Sequence, residues 1–284
     1  MESEPIISAA SSWSEWLCSP PGRYLLQWEQ EQFDAAVADL FGYFALQCGT
    51  PQLDCLRANR MPSKVCALLH EEHTPKIDAR EAGVRSALRL AAFEELPFES
   101  HSIDLVVLPH VLESCADPHQ ALREVERVLR PEGRLIVTGL NPVSLWGARQ
   151  FLARGRIPAF VPDREALLGL PRLRDWLKLL GFELERGRYG CFRPPCTTQS
   201  WLDRTRFLES AGDRWWPICG AVYMLSAVKR VQGMRLVGKL WKSPRAKARA
   251  RPATASKAPA DQSGNLARRV TGVGGDGSSL DRRR

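Results

Sequence analysis

The sequence predicts an α/β fold built on a largely parallel sheet, and three observations carry that expectation. Tyr43 to Cys48, Val65 to Leu69 and Ile103 to Leu108 are short continuous apolar runs, the pattern of strands covered on both faces. Ala121, Leu122, Val125, Val128 and Leu129 recur at helical spacing. Between Ile103 and Thr138 the order is strand, helix, short turn, strand, which is the unit of a parallel sheet with right-handed crossovers.

Residues 1 to 19 are Ser-rich and aperiodic apart from Trp13 and Trp16, so an arm rather than an element is expected there. A helix should begin at Pro20-Pro21-Gly22, with Leu25, Trp28, Phe33, Ala36, Val37 and Leu40 on one face, Glu29, Glu31, Asp34 and Asp39 elsewhere, and Gly42 as its stop. The first strand is closed by Gly49-Thr50-Pro51, the second by His70-Glu71-Glu72, and a weaker third lies around Val84 to Ala91. Asp117 is placed to cap the central helix, with Pro118 at its first position and Pro131-Glu132-Gly133 as its end. Leu135 to Thr138 is the next strand. Leu167 to Leu180 reads as a second amphipathic helix ending at Gly181, followed by late strands around Phe182 to Glu185 and Ala221 to Val228.

The chain has 284 residues, 44% hydrophobic and 25% charged, which excludes a collagen-like, fibrous or wholly disordered protein. Its net charge of +8 is carried by the end of the chain: from Lys242 onward there are eleven basic and three acidic residues, so the preceding body is neutral. From Ser243 the composition turns to Ala, Pro, Lys, Arg, Gly and Ser, too poor in large apolar residues to offset the entropy of ordering. The tail is expected to be a solvated, disordered extension or a contact to RNA, DNA or another anionic surface. Eight cysteines without a CxxC pair, three of them (48, 66 and 219) in apolar strand-like runs, predict reduced and mostly buried thiols. His70 and His73 lack the helical spacing of a zinc pair, so no metal site is expected. An acidic start at Met1 to Glu4, and no run near the roughly 18 apolar residues that a spanning helix needs, predict a soluble, cytoplasmic chain.

Several segments resemble class I S-adenosylmethionine-dependent methyltransferases, in particular the broad bacterial type 11 group. They are Glu94-Glu95-Leu96-Pro97-Phe98, Ser102 to Val107, His110-Val111-Leu112, and Ala121-Leu122-Arg123-Glu124-Val125 through Arg127 to Gly133. The flanking segments Asn141 to Gly147 and Arg174-Asp175-Trp176-Leu177 look like a proteobacterial subgroup whose substrate is not assigned. The resemblance implies a Rossmann-like, doubly wound sheet of seven strands with the last antiparallel and helices on both faces. It also implies a cofactor, S-adenosyl-L-methionine, across the carboxyl ends of the first strands. On this reading residues 1–19 are an N-terminal arm, 20–242 the methyltransferase-like domain and 243–284 the tail.

The family's first strand ends in an acid followed by a GxGxG turn. Here the stretch is Gln47-Cys48-Gly49-Thr50-Pro51-Gln52, with one glycine. By family position Gln47 and Gly49 would border the cofactor, Glu71 or Glu72 would hold the ribose, and Glu94, Glu95 and Leu96 would line the adenine pocket. The acid that should contact adenine, six positions before Phe98, is replaced by Ala92. Pro109 and His110 follow strand four, where the family faces the reactive methyl group. His110 is therefore both a cofactor-side wall and the candidate catalytic base, since a neutral imidazole can take a proton from an acceptor hydroxyl or amine. Asn141-Pro142 should open a lid, and Trp146, Arg149, Phe151, Arg154 and Arg156 form either a substrate pocket or a packed helix face. Trp215-Trp216-Pro217 is expected in the core or at a pocket rim.

Two functions are compatible with these features. One is a methyltransferase acting on a small or medium-sized acceptor; the other is an inactive descendant that serves as a binding module, its tail contacting RNA or another polyanion. Removing residues 243–284 should leave the affinity for S-adenosylhomocysteine unchanged in calorimetric titration. A large loss would place the tail within the site.

Overall fold

The structure is a computed structural model and describes residues 12–69, 86–153, 159–162 and 167–230. Seven strands form one sheet: β1 (Phe44–Cys48), β2 (Ser63–Leu69), β3 (Ser86–Leu90), β4 (Ile103–Pro109), β5 (Leu129–Leu140), β6 (Phe182–Gly190) and β7 (Val222–Lys229). Their spatial order is β3-β2-β1-β4-β5-β7-β6. β1 to β5 pair in parallel, and β7 runs antiparallel to both β5 and β6. The doubly wound sheet with an antiparallel last strand is thus the fold the chain adopts.

Helices cover both faces, as the unbroken apolar strands require. On one side Phe33 and Val37 of α2 (Pro20–Val37) pack against Ala45, Leu105, Val107, Ile136 and Met224. On the other, Leu122, Val125 and Val128 of α3 (Pro118–Val128) and Leu173 and Leu177 of α5 (Leu170–Leu179) pack against Leu46, Val106, Leu108, Leu135, Val137 and Leu225. The two sets alternate along β4 and β5, so each strand divides its side chains between two layers. At about 1.5–3 kcal/mol per fully buried aliphatic or aromatic side chain, this packing rather than helix propensity holds α2 and α3 in place.

Local chemistry sets the ends of the elements. The Asp117 carboxylate accepts from the backbone N–H groups of His119 and Gln120 at 2.9 and 3.1 Å, the expected cap of α3. α2 stops at Val37 rather than at Gly42, because the Asn59 amide donates to the carbonyls of Val37 and Leu40. Gly42 has a different reason: a Cβ there would lie 2.5 Å from Cβ of Asp104. That aspartate accepts from the N–H groups of Tyr43 and Phe44 and so ties the start of β1 to β4. β5 begins at Leu129, directly after α3, and Pro131 to Gly133 form an irregularity within the strand rather than a connection before it.

Other expectations are corrected. Part of the supposed arm is a helix, α1 (Trp13–Leu17), too short to show periodicity but capped by Ser12 and buried through Trp13, Trp16 and Leu17. Of the two places expected for Trp215-Trp216-Pro217 the core is excluded: Trp215 and Trp216 are exposed, at the end of α7 (Phe207–Trp215), which follows α6 (Gln199–Arg204) and precedes a short 3₁₀ turn (Pro217–Cys219), and Pro217 lines a surface pocket with Trp28 and Phe192. Cys219 is exposed in that turn instead of lying in a strand; Cys48, Cys55, Cys66 and Cys191 are buried. The tail from Ser243 lies outside the described residues, as do His70 to His73.

Gly190, the last residue of β6, lets α2 close on the sheet, because a Cβ there would stand 2.0 Å from Cε2 of Trp28. Gly190→Ala should therefore destabilise the protein by about 1–3 kcal/mol in urea unfolding, the usual cost of overpacking. Unchanged stability would mean that Trp28 has room to swing aside.

Candidate active site

The site is built where β1 and β4 end side by side. After Cys48 the chain turns through Gly49 (φ +68°) and Thr50 (φ +40°), two successive left-handed residues. Gln47 governs this turn from inside. Its amide nitrogen donates to the Leu53 carbonyl at 2.6 Å and the Thr50 carbonyl at 3.3 Å, while its oxygen accepts from Cys55 N–H at 3.0 Å. A carboxylate accepts but cannot donate, so an acid at this position could not make the same set of bonds. Thr50 Oγ1 then donates to the Pro109 carbonyl at 2.9 Å and locks the turn to the end of β4.

Gly49 is required by its own neighbourhood. Its N–H donates to the Ala67 carbonyl at 2.7 Å. A Cβ on it would meet Val111 Cγ2 at 3.0 Å and Phe93 Cζ at 3.6 Å. The turn after β1, the segment before Glu94 and the segment after β4 thus converge on one point, the arrangement expected of the family. Glu94 accepts from Asp117 N–H at 3.1 Å and Glu124 accepts from Leu96 N–H at 3.2 Å, so α3 fixes the loop that holds Leu96 in the core. Glu95 is exposed and Ala92 half-buried; Glu71 and Glu72 lie outside the described residues. Gln52, in the β1 turn, has a buried side-chain oxygen with no protein partner, an acceptor suited to the ammonium end of the cofactor. In this respect the described part of the cleft fits S-adenosylmethionine; the adenine side lacks its acid. Among the described residues no group of three His, Cys, Asp or Glu side chains could hold a metal.

His110 does not face an open cleft. It is wholly buried with a left-handed backbone (φ +55°), Nε2 lying 2.9 Å from Oε1 of Glu29 on α2 and Nδ1 3.1 Å from Oε2 of Glu113. The other oxygen of Glu113 accepts from Leu140 N–H, and the Trp13 ring lies over the imidazole with centroids 5.0 Å apart. Burial alone would push the imidazole pKa down; the charge of Glu29 and hydrogen bonds to Glu113 and Glu29 outweigh it and hold it up at about 9. An imidazole held protonated has no lone pair with which to take a proton. As placed here, His110 is sealed between two carboxyl groups and links α2, β4 and β5, shielded from an acceptor instead of facing one as expected of a base.

Glu29 and Glu113 were missing from the candidate residues. Glu29 lies in line with Leu25, Phe33 and Val37 at successive four-residue steps, a carboxyl in the apolar stripe of α2, and that is the signal that could have found it.

Above this cluster an aromatic layer closes the carboxyl ends of β5 and β6 and the amino end of β7. Trp13 and Trp16 stack at 5.2 Å, and Trp16, Trp146 and Phe160 meet edge to face at 5.2 to 5.9 Å. Trp146, on α4 (Leu145–Leu152), is buried and Arg149 covers the Phe160 ring at 4.6 Å, so these two belong to a packed helix face. Arg154 and Arg156 lie outside the described residues.

The raised pKa of His110 has a testable sign. Its stabilising contribution is complete below the ordinary value of 6.5 and is lost as pH rises through about 9. The urea midpoint of the wild-type chain should fall across that interval, and His110→Gln should be less stable at its lower end and lose most of the fall. A parallel decline in the variant would assign the pH dependence to other groups.

The family described as "Methyltransferase domain" matches residues 46–137. The Escherichia coli protein YafS, uncharacterised, is 29% identical over 171 residues, 60% of this chain and 65% of its own length. The C-methyltransferase UbiE of Hahella chejuensis is 52% identical over 44 residues, 16% of this chain and 18% of its own. The chain thus spans less than two thirds of either relative. Among solved structures, a chain of the complex between the Haloferax volcanii Trm112 methyltransferase activator and a candidate methyltransferase superposes with a TM-score of 0.53 at 15% identity, covering 80% of this chain and 99% of that one. The [4+2]-cyclase SpnF superposes at 0.50 and 18% identity, covering 80% and 85%. Residues 46–137 thus match a methyltransferase domain, and the sheet they help to build has the class I methyltransferase fold.

Proposed function

We propose that the chain is an S-adenosylmethionine-dependent methyltransferase acting on a small or medium-sized acceptor in the cytoplasm. The observation that carries this reading is the convergence of the β1 turn, the 93–96 segment and the end of β4 within a matched methyltransferase domain. Gly49 and Gln52 would border the methionine end of the cofactor, Glu94, Glu95 and Leu96 its adenine, Glu71 or Glu72 its ribose, and Pro109 the floor. Gln47 shapes the turn without touching the ligand. The cofactor supplies an activated methyl group on a sulfonium, a donor that needs little proton transfer, so the protein's task is to hold the acceptor in line and exclude water. A sealed His110 suits that task as a positioning residue, because through Glu29 it fixes α2 and through contact with Trp13 it fixes α1. Among the described residues no helix is long and apolar enough to cross a membrane.

Three observations favour the second reading, a methyltransferase-like binding module. The Gly49 N–H is already bonded to Ala67, Val111 packs against the glycine, and no acid stands at position 92. Isothermal titration with S-adenosylhomocysteine should give saturable heat, and none at about millimolar ligand, where even a weak site of about −4 kcal/mol is half filled, would overturn both the site and the activity. With binding established, turnover of methyl-labelled cofactor on fractions of a cell extract separates the enzyme from the module.

A further inference from the structure

The segment between β6 and β7 presents an apolar surface that the methyltransferase reading does not use. Phe207, Ala211 and Trp215 recur every four residues along α7 and form a line on it. Phe207 and Trp215 are 68% and 70% exposed, and Trp216 and Ile218, which follow, are 59% and 62% exposed. The Ile218 carbonyl accepts from the Asn141 amide at 2.8 Å, which joins this surface to the turn after β5, where Val143 and Leu145 are exposed as well. The opposite side of α7 faces inward, with Gly212 buried against Phe192 and Glu209 accepting from the N–H groups of Cys191 and Phe192. Soluble proteins seldom leave so many large apolar side chains together in water without a use for them.

We propose that this surface docks on an anionic lipid bilayer, lying in the interface without crossing it. Tryptophan is the residue type that settles at the boundary between headgroups and acyl chains, because its ring is apolar and its N–H polar. Arg204, Arg206 and Arg214 are exposed on the same segment, with Arg204 5.3 Å from the Trp201 ring, and of its acids only Asp203 and Asp213 face outward. The tail supplies the second attraction: residues 242–284, which include Lys242 just before it, hold eleven basic and three acidic residues and carry the entire +8 of the chain. A few interfacial apolar side chains give only reversible attachment, and a polybasic segment is the partner signal that makes it stable. The same charges repel a second copy of this chain, and the tail has too few large apolar residues to cover the patch itself.

Vesicles of phosphatidylglycerol and phosphatidylethanolamine, compared with vesicles of phosphatidylcholine, test the proposal by co-sedimentation of the full chain. It should sediment with the anionic vesicles only. Trp215→Ser/Trp216→Ser, at two exposed positions, should leave the unfolding midpoint unchanged and weaken partitioning about tenfold or more, and deletion of residues 243–284 should remove most of its salt dependence. A chain that stays in the supernatant with anionic vesicles overturns the proposal, as does a double variant that partitions like the wild type. So does a lipid-free dimer that the double variant converts to monomers. The heat of S-adenosylhomocysteine binding by the double variant reports separately on the active-site reading.

Discussion

Everything at the carboxyl edge of the sheet depends on one buried contact, the His110 imidazole held between the carboxyl groups of Glu29 and Glu113. Charged groups withdrawn from water are costly unless paired, and removing one partner leaves the others stranded. The cluster therefore admits one arrangement of the elements that supply it. α2 cannot slide along its face of the sheet without parting Glu29 from Nε2, and the chain after β4 cannot relax without parting Glu113 from Leu140 N–H. The left-handed backbone of His110 is the local strain accepted for this registry.

The turn after β1 shows how a family motif can be rebuilt from other chemistry. A glycine-rich turn keeps its shape through missing side chains; this one keeps its shape through Gln47, which spends both ends of its amide on backbone groups of the next eight residues. Thr50 then spends its hydroxyl on Pro109. Loss of glycines is here a change in what holds the loop, and the loop still reaches the end of β4.

The layers of the fold were legible because burial on both faces leaves a mark in each strand: Ile103 to Leu108 has no polar alternate position after Asp104, and Asp117-Pro118 names the start of α3 outright. Much of the site was not legible. Trp13 and Trp16 span a single turn, too little for a period to declare itself, and their importance comes from what they cover. Glu29 sits in a helix already crowded with Glu, Gln and Asp, so its place in the apolar line is easily taken for part of the polar face. Glu113 follows β4 by four residues, and only the three-dimensional path brings it back to His110. For Trp215 and Trp216 the choice between core and pocket rim could not be made from the sequence: large aromatic residues are usually core, and nothing local shows that these face outward.

The position of β7 bears on how the molecule is made. Among the described strands it is the last to be synthesised, yet it lies between β5 and β6, and β6 has no other described neighbour in the sheet. Until residues 222–229 leave the ribosome, β6 has nothing to pair with and β5 presents an open edge. Cys191, Ala221 and Val222 belong to the aromatic layer, so that layer too must wait for the end of the chain. The parallel half of the sheet can condense early from sequence neighbours, whereas the closing pairings are long-range and late, the step at which a nascent chain is exposed to mispairing.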